Sequence, residues 1–331
     1  MKSKDKISLP SMFVMILVLP LVINYFTYFA FTSNYTKNIF SEESFKAQFE
    51  NDIYQYRVLS RELVIITYDI LKEVNPKVPQ KETIKYLDPN GDVYFYASLF
   101  IYSSIFLCLF SLVLTIILNE SSIGLLSKLA VYLSIILIIA LSQFTLVPYD
   151  IPGYFFNLLG YYLSFKYLKN NNINYIILLV LIIIFGTLNR ETTALNLSFH
   201  FTLFYMMNKD LKVAIKQTLL PLLGFLTVYV SLRLFLESNE SVVGFFSLLT
   251  NLKNFENLMG LIFILSSLFL FYSFSSEIIK KHIKIFIITS LAYLIVIISN
   301  GILYEIRLII PVLIAIISFQ ILIPNQSADK Q

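Results

Sequence analysis

The sequence predicts an all-α protein: a polytopic membrane helix bundle of about ten transmembrane helices, with amphipathic helices in a long first outer loop. Three observations carry that expectation. Of the 331 residues, 57% are hydrophobic and only 14% charged, against about 45–50% and about 25% in soluble domains. The mean hydropathy is +0.74, so a water-soluble fold would expose more apolar surface than water tolerates. The apolar residues come in continuous runs rather than in period-2 alternation, which excludes a membrane β-barrel. The same balance excludes an ordinary cytosolic enzyme, a disordered chain and a nucleic-acid-binding domain. One cysteine, Cys108, and two histidines leave no intrachain disulfide and no credible Cys- or His-based metal site.

A helical span needs about 20 apolar residues. The runs are 8–32, 94–118, 129–147, 152–165, 174–188, 194–208, 217–236, 258–274, 284–300 and 308–323. The first is too long for a cleaved signal peptide, and no small-residue cleavage site follows it. The chain reads as a single transmembrane domain over 1–331, with 33–93 as its first extracytoplasmic loop. Lysines sort the ends. With the N-terminus inside, every inner segment carries at least one lysine and none carries an arginine: Lys2, Lys4 and Lys6; Lys128; Lys166 and Lys169; Lys209, Lys212 and Lys216; Lys280, Lys281 and Lys284; Lys330. This pattern predicts both termini in the cytoplasm. Loop 33–93 holds eight Lys and Arg, but long loops translocate largely regardless of charge. Abundant Ile, Lys, Asn, Phe and Tyr point to an AT-rich bacterial genome and hence to the bacterial cytoplasmic membrane.

All five arginines, Arg57, Arg61, Arg190, Arg233 and Arg307, fall on the outer side or at an outer helix end. The positive-inside rule works against them there, so they need another reason. Arginine suits bidentate recognition of carboxylate or phosphate. The plainer reading pairs them with nearby Glu and Asp to close the bundle.

Residues 43–74 lack Pro and Gly and read as an amphipathic helix, or two with a bend. At about 100° per residue, Phe45, Phe49, Ile53, Tyr56, Leu59, Leu63, Ile66 and Ile70 share one face. Glu50, Tyr54, Arg57 and Arg61 form a polar stripe. Asp52 falls inside the apolar arc, where a carboxylate needs a partner or a wet cavity. Alternatively, a bend at Asn51-Asp52 lets Asp52 cap the second helix. Residues 75–92 read as loop.

The fourth, fifth and sixth runs hold about 14–15 residues, about 21 Å of helix against about 30 Å of hydrocarbon. Lysines hold their inner ends, so their outer ends should be recessed. Those ends carry Pro148-Tyr149-Asp150-Ile151-Pro152 and Asn189-Arg190-Glu191-Thr192-Thr193. Polar backbone at membrane depth must line a cavity or pack on protein. The expectation is a polar pocket open to the outside, floored by Asp150, Arg190 and Glu191. The plainer alternative has Arg190 and Glu191 neutralise each other in a tight hairpin. Arg233 one turn inside the seventh span, and Tyr304, Glu305 and Arg307 at the tenth, point the same way. Thr193, Asn196 and His200 make a polar stripe that reads first as helix–helix glue.

Carboxylates beside arginines suit a phosphorylated, hydroxyl-rich ligand. A carboxylate such as Asp52, Asp150 or Glu191 deprotonates an acceptor hydroxyl. Arg57, Arg61, Arg190, Arg233 and Arg307, with Tyr304 and Glu305, hold substrate and its phosphate leaving group. The layout, with Asn51-Asp52-x-Tyr54-x-Tyr56-Arg57-x-Leu59, Tyr149-Asp150-x-Pro152 and Asn189-Arg190-Glu191-Thr192, resembles the GT-C superfamily of membrane glycosyltransferases. That resemblance implies a polyprenyl-phosphate sugar donor, a glycan or lipid-linked acceptor, and an acidic catalytic residue in the first outer loop. Many members carry an Asp-Asp pair where this chain has a single Asp. Outer carboxylates allow a divalent cation, but no spacing compels one. Two other readings stay open. Arg233 and Gly244 match the arginine–ten–glycine spacing of O-antigen-type polysaccharide polymerases, which need the same arginines. A transporter or flippase would leave an internal repeat and midplane polar residues; no clear repeat relates residues 1–165 to 166–331.

Overall fold

The computed structural model describes residues 6–31, 40–49, 52–74, 88–143, 146–236 and 248–323, and among them only helices, turns and short connections occur. The helices are α1 (Leu9–Ala30), α2 (Glu42–Gln48), α3 (Val58–Val74), α4 (Val93–Glu120), α5 (Leu125–Ser142), α6 (Asp150–Asn170) and α7 (Ile173–Asn189). Then follow α8 (Leu195–Asn208), α9 (Leu211–Phe235), α10 (Leu248–Lys253), α11 (Phe255–Ser273), α12 (Glu277–Thr289), α13 (Leu291–Asn300) and α14 (Ile310–Leu322). Each apolar run of the sequence has a helical counterpart. Among the described residues, five helices (α1, α4, α5, α9 and α11) are long and apolar enough to cross a membrane. They are six if α12 and α13, bent by 61°, form one broken span.

The exposed surface tells where lipid belongs. Only 11% of the most apolar stretch of α9, and 17% of those of α1 and α11, are buried. Leu219, Leu223, Leu226 and Val230 on α9, and Ile262, Leu265 and Phe269 on α11, are exposed. Side chains of this kind in such density are stable in hydrocarbon and not in water. At the centre, α6 packs on α4, α7, α8 and α14. Nearly all of α14 is buried. A helix wrapped by others needs no lipid face, which is why α14 survives at 13 residues.

Two local expectations change. The fourth run predicts a short helix, yet α6 has 21 residues. Polar residues at both tips, Asp150 first and Lys169 and Asn170 last, continue the helix beyond the apolar stretch. Pro152 lies in its first turn, where a missing N–H costs nothing.

Among its described residues, the segment between α1 and α4 holds two helices with a bend: α2, a 3-10 turn Asp52–Tyr56, and α3. Phe45 and Phe49 are buried. In α3, however, the face turned to the bundle is Ser60, Val64 and Tyr68, while Ile66 and Ile70 are 51% and 54% exposed. The apolar arc of the sequence thus splits. One side meets α4, and the other is left open as a second apolar face.

Asp92 ties this layer down. Its Oδ1 accepts the Tyr94 and Phe95 amides at 2.8 and 3.3 Å, capping α4, and its Oδ2 accepts the Tyr68 hydroxyl. Burial, and then the neighbouring carboxylate, push the Tyr68 hydroxyl above its ordinary pKa. Asp92→Ala should cost about 1–2 kcal/mol through the lost cap. It should also loosen α3, seen as faster amide exchange over 58–74. Unchanged exchange there would separate the cap from the docking of α3.

Candidate functional site

The N-terminus of α6, the C-terminus of α7 and the start of α14 meet at one end of the bundle. Asp150, the first residue of α6, is fully buried. Its Oδ1 accepts from Arg190 Nη1, just past α7, and its Oδ2 accepts from Arg307 Nη1 at 3.1 Å. Arg307 reaches Glu305 Oε2 through Nη2 at 2.6 Å and Nε at 3.0 Å. All four side chains are at most 10% exposed. A carboxylate at a helix N-terminus also gains from the helix dipole.

Arg57, between the Asp52–Tyr56 turn and α3, adds a third buried guanidinium. It lies 3.8 Å from the Tyr149 ring centre and 4.8 Å from that of Tyr54. Arg190 lies 5.6 Å from the same Tyr149 ring. Arg57 is 6% exposed, and its Nε and the Tyr149 hydroxyl find no hydrogen-bond partner among the described residues. Arg57 makes no salt bridge among them either, unlike Arg190 and Arg307. Among the described residues, three arginines therefore face two carboxylates here. A desolvated cation–π contact is worth about 2 kcal/mol or somewhat more, less than the several kcal/mol of hydration a guanidinium surrenders on burial.

A second, more open pair sits beside this cluster. Glu191 Oε1 lies 3.6 Å from Arg233 Nη2, with side chains 28% and 32% exposed. Arg233 rests 3.5 Å from the Tyr229 ring centre and 4.5 Å from that of Tyr56. Arg190 and Glu191 thus turn to different partners instead of closing on each other.

Asp150, Glu305, Arg57, Arg190 and Arg307 come together, with Glu191 and Arg233 beside them. Arg61 does not join; it pairs with Glu62 at 2.7 Å on the exposed side of α3. Tyr304 is half-buried next to Glu305, its amide donating to Asn257 Oδ1 at 3.3 Å. Asp52 opens the 3-10 turn that carries Tyr54, Tyr56 and leads to Arg57; its side chain, and Gly244, lie outside the described residues. The side chains of Asp150, Glu305, Arg57, Arg190 and Arg307 are buried, whereas those of Glu191 and Arg233 are partly exposed. Two cavities of about 530 and 620 Å³ lie elsewhere in the bundle.

Sequence reasoning missed the polar frame around the cluster. Asn189 donates to Tyr149 O at 2.9 Å and accepts from Ser60 Oγ, which lies 2.8 Å from Tyr102 Oη. This chain ties α3, α4 and α7 to the site. Only the cluster Tyr149-Asp150 and Asn189-Arg190 hinted at it. The Thr193–Asn196–His200 stripe joins α8 to α6: Asn196 donates to Asn157 Oδ1 at 3.2 Å, and His200 Nδ1 meets Ser164 Oγ at 3.1 Å. Among the described residues, no group of three or more His, Cys, Asp or Glu side chains gathers to hold a metal ion.

Gly260 of α11 sets the position of Glu305 and Arg307. A Cβ there would lie 2.2 Å from Leu303 O and 2.6 Å from Tyr304 N, both backbone atoms. Gly260→Ala should cost about 1–3 kcal/mol as overpacking and push the 303–307 segment off Asp150. Paired unfolding curves in detergent check this, and an unchanged midpoint would show that the segment moves freely.

No family model matches the chain, and neither does any curated protein or solved structure.

Proposed function

We propose that the protein is an integral membrane glycosyltransferase acting on the extracytoplasmic face of the bacterial cytoplasmic membrane. It moves a sugar from a polyprenyl-phosphate-linked donor to a glycan or lipid-linked acceptor. In this reading α1, α4–α9, α11, the α12–α13 pair and α14 make ten spans, with both termini cytoplasmic. The observation that supports it best is the guanidinium of Arg57, buried on aromatic rings and without a salt bridge among the described residues. A buried arginine on aromatic rings with no carboxylate partner among the described residues, at one end of an apolar bundle, suits an anion, and phosphate is the anion a membrane supplies.

Each residue then has a role. Arg57 holds the donor phosphate, with Arg233 at the rim. Both Asp150 oxygens are already engaged by guanidinium groups, so Asp150 positions Arg190 and Arg307 rather than taking a proton. Asp52, on the turn above the cluster, is the base; Glu191 is the next candidate. The acceptor oxygen attacks the anomeric carbon and the bond from that carbon to the phosphate oxygen breaks. The acceptor proton passes to Asp52, and the polyprenyl phosphate leaves with the bonding electrons, stabilised by Arg57. One displacement inverts the anomeric centre.

Asp52→Asn tests this. Transfer should fall by about 10²-fold or more, with polyprenyl-phosphate binding unchanged. Retained transfer removes Asp52 as base, and the same measurement on Glu191→Gln then decides for Glu191. Failure of the purified protein to bind any polyprenyl-phosphate sugar would overturn the enzyme reading.

A further inference from the structure

The end of the bundle opposite the arginines holds a cavity of about 620 Å³. It lies between the C-terminal ends of α4, α6, α8 and α14 and the start of α12. Much of its lining is apolar, including the buried Ile117 and Leu203 and the half-buried Met206. Its polar lining is basic. Lys169, Lys209 and Lys281 border it and are exposed. None of the three makes a salt bridge among the described residues, and Lys169 acts on Glu120 only at longer range.

The other titratable groups facing the cavity do not cancel this charge. Glu120 is held by Lys166 at 2.8 Å and by the Tyr162 hydroxyl at 2.9 Å. His282 uses Nδ1 on Ile278 O at 2.8 Å and faces the space beside Lys209. Three lysines thus carry net positive charge over an apolar slot of molecular size. The last helical turns of α6 and α8 are both closed by a left-handed residue. At α6 this is Asn171 (φ 49°), a residue suited to that region; at α8 it is Lys209 (φ 54°), which is not.

We propose that this cavity binds an anionic phospholipid of the leaflet at the lysine end. Its phosphate sits among Lys169, Lys209 and Lys281, and an acyl chain lies against Met206 and Leu203. The chemistry is that of basic pockets between transmembrane helices, which draw anionic headgroups by charge and retain them by the chain. The lipid joins the ends of five helices, so it should stabilise the bundle by linkage. This proposal rests on the membrane reading of the chain and not on glycosyl transfer.

The test uses the full chain purified in a neutral detergent. Native mass spectrometry compares phosphatidylglycerol with phosphatidylcholine of the same acyl chains. The wild type should bind phosphatidylglycerol at concentrations at least about tenfold lower, and this lipid alone should raise the thermal midpoint. The variant K169Q/K209Q/K281Q, changed only at exposed positions, should lose both effects. Leu203→Trp, which fills the apolar slot, should weaken both lipids while leaving the lysines intact. Millimolar inorganic phosphate should neither displace the lipid nor raise the midpoint. Equal binding of the two lipids, or a preference that survives the triple lysine variant, overturns the proposal. Full stabilisation by inorganic phosphate alone overturns it too, in favour of a free-anion site. If Leu203→Trp does not fold, the triple variant alone decides.

Discussion

Asp150→Asn should destabilise the protein by about 3–5 kcal/mol, the loss typical of removing one partner from a buried ion pair. The side chain is fully buried and accepts from two guanidinium groups that are themselves at most 10% exposed. An amide of the same shape keeps the packing but leaves Arg190 with no carboxylate and Arg307 with Glu305 alone. Glu305→Gln should cost less, because Arg307 then still has Asp150. The cause can be separated from the shape. If stranded charge is responsible, adding Arg190→Met to Asp150→Asn should recover part of the loss, since a buried pair replaced by apolar residues is often close to neutral. Reversible unfolding in mixed micelles measures all of these. A cost under about 1 kcal/mol for Asp150→Asn would mean that water reaches the cluster and screens it.

Arg57→Ala should do the reverse: little to the fold, much to function. Arg57 has no carboxylate to strand among the described residues, so its loss removes only contacts with Tyr149 and Tyr54, worth about 0.5–2 kcal/mol. If it holds the donor phosphate as proposed, transfer should drop by about 10²–10³-fold, the cost of losing one preorganised donor to a developing negative charge. Arg57→Lys should recover only part of this, because an ammonium keeps the charge but not the planar fork. Transfer assays with binding of polyprenyl phosphate measured alongside distinguish the outcomes. Stability falling as far as in Asp150→Asn, with phosphate binding intact, would make Arg57 a structural residue.

The contrast between these two residues shows how far the site was legible. Residue types and end-of-helix positions brought out Asp150, Arg190, Arg233, Glu305 and Arg307 from the sequence. Their pairing was not legible there. Arg190 and Glu191 are neighbours and look self-neutralising, but the extended backbone at Arg190 (φ −167°) sends successive side chains apart. Arg57 and Arg61 share one stripe on a helical wheel, yet Arg57 precedes α3 and is buried while Arg61 points out to Glu62. A break in the helix at that residue is enough to undo the wheel. The same break explains α3, whose buried line is Ser60–Val64–Tyr68 and not its most apolar one. Polar anchors, the Tyr68–Asp92 and Ser60–Asn189 hydrogen bonds, outweigh the apolar arc when lipid can receive Ile66 and Ile70.

By itself, the sequence determined the all-helical class, the place of each apolar run and the division of lysines and arginines between opposite ends. These follow from local composition and period, which decide a helix and its exposure to lipid without reference to distant residues. The tertiary structure alone decided that Asp150 would meet Arg307, 157 positions away, and that Arg57 would be buried over Tyr149. Such choices depend on which helix ends converge. In a bundle where many faces are equally apolar, the few polar contacts at those ends select the arrangement, and no local spacing records them.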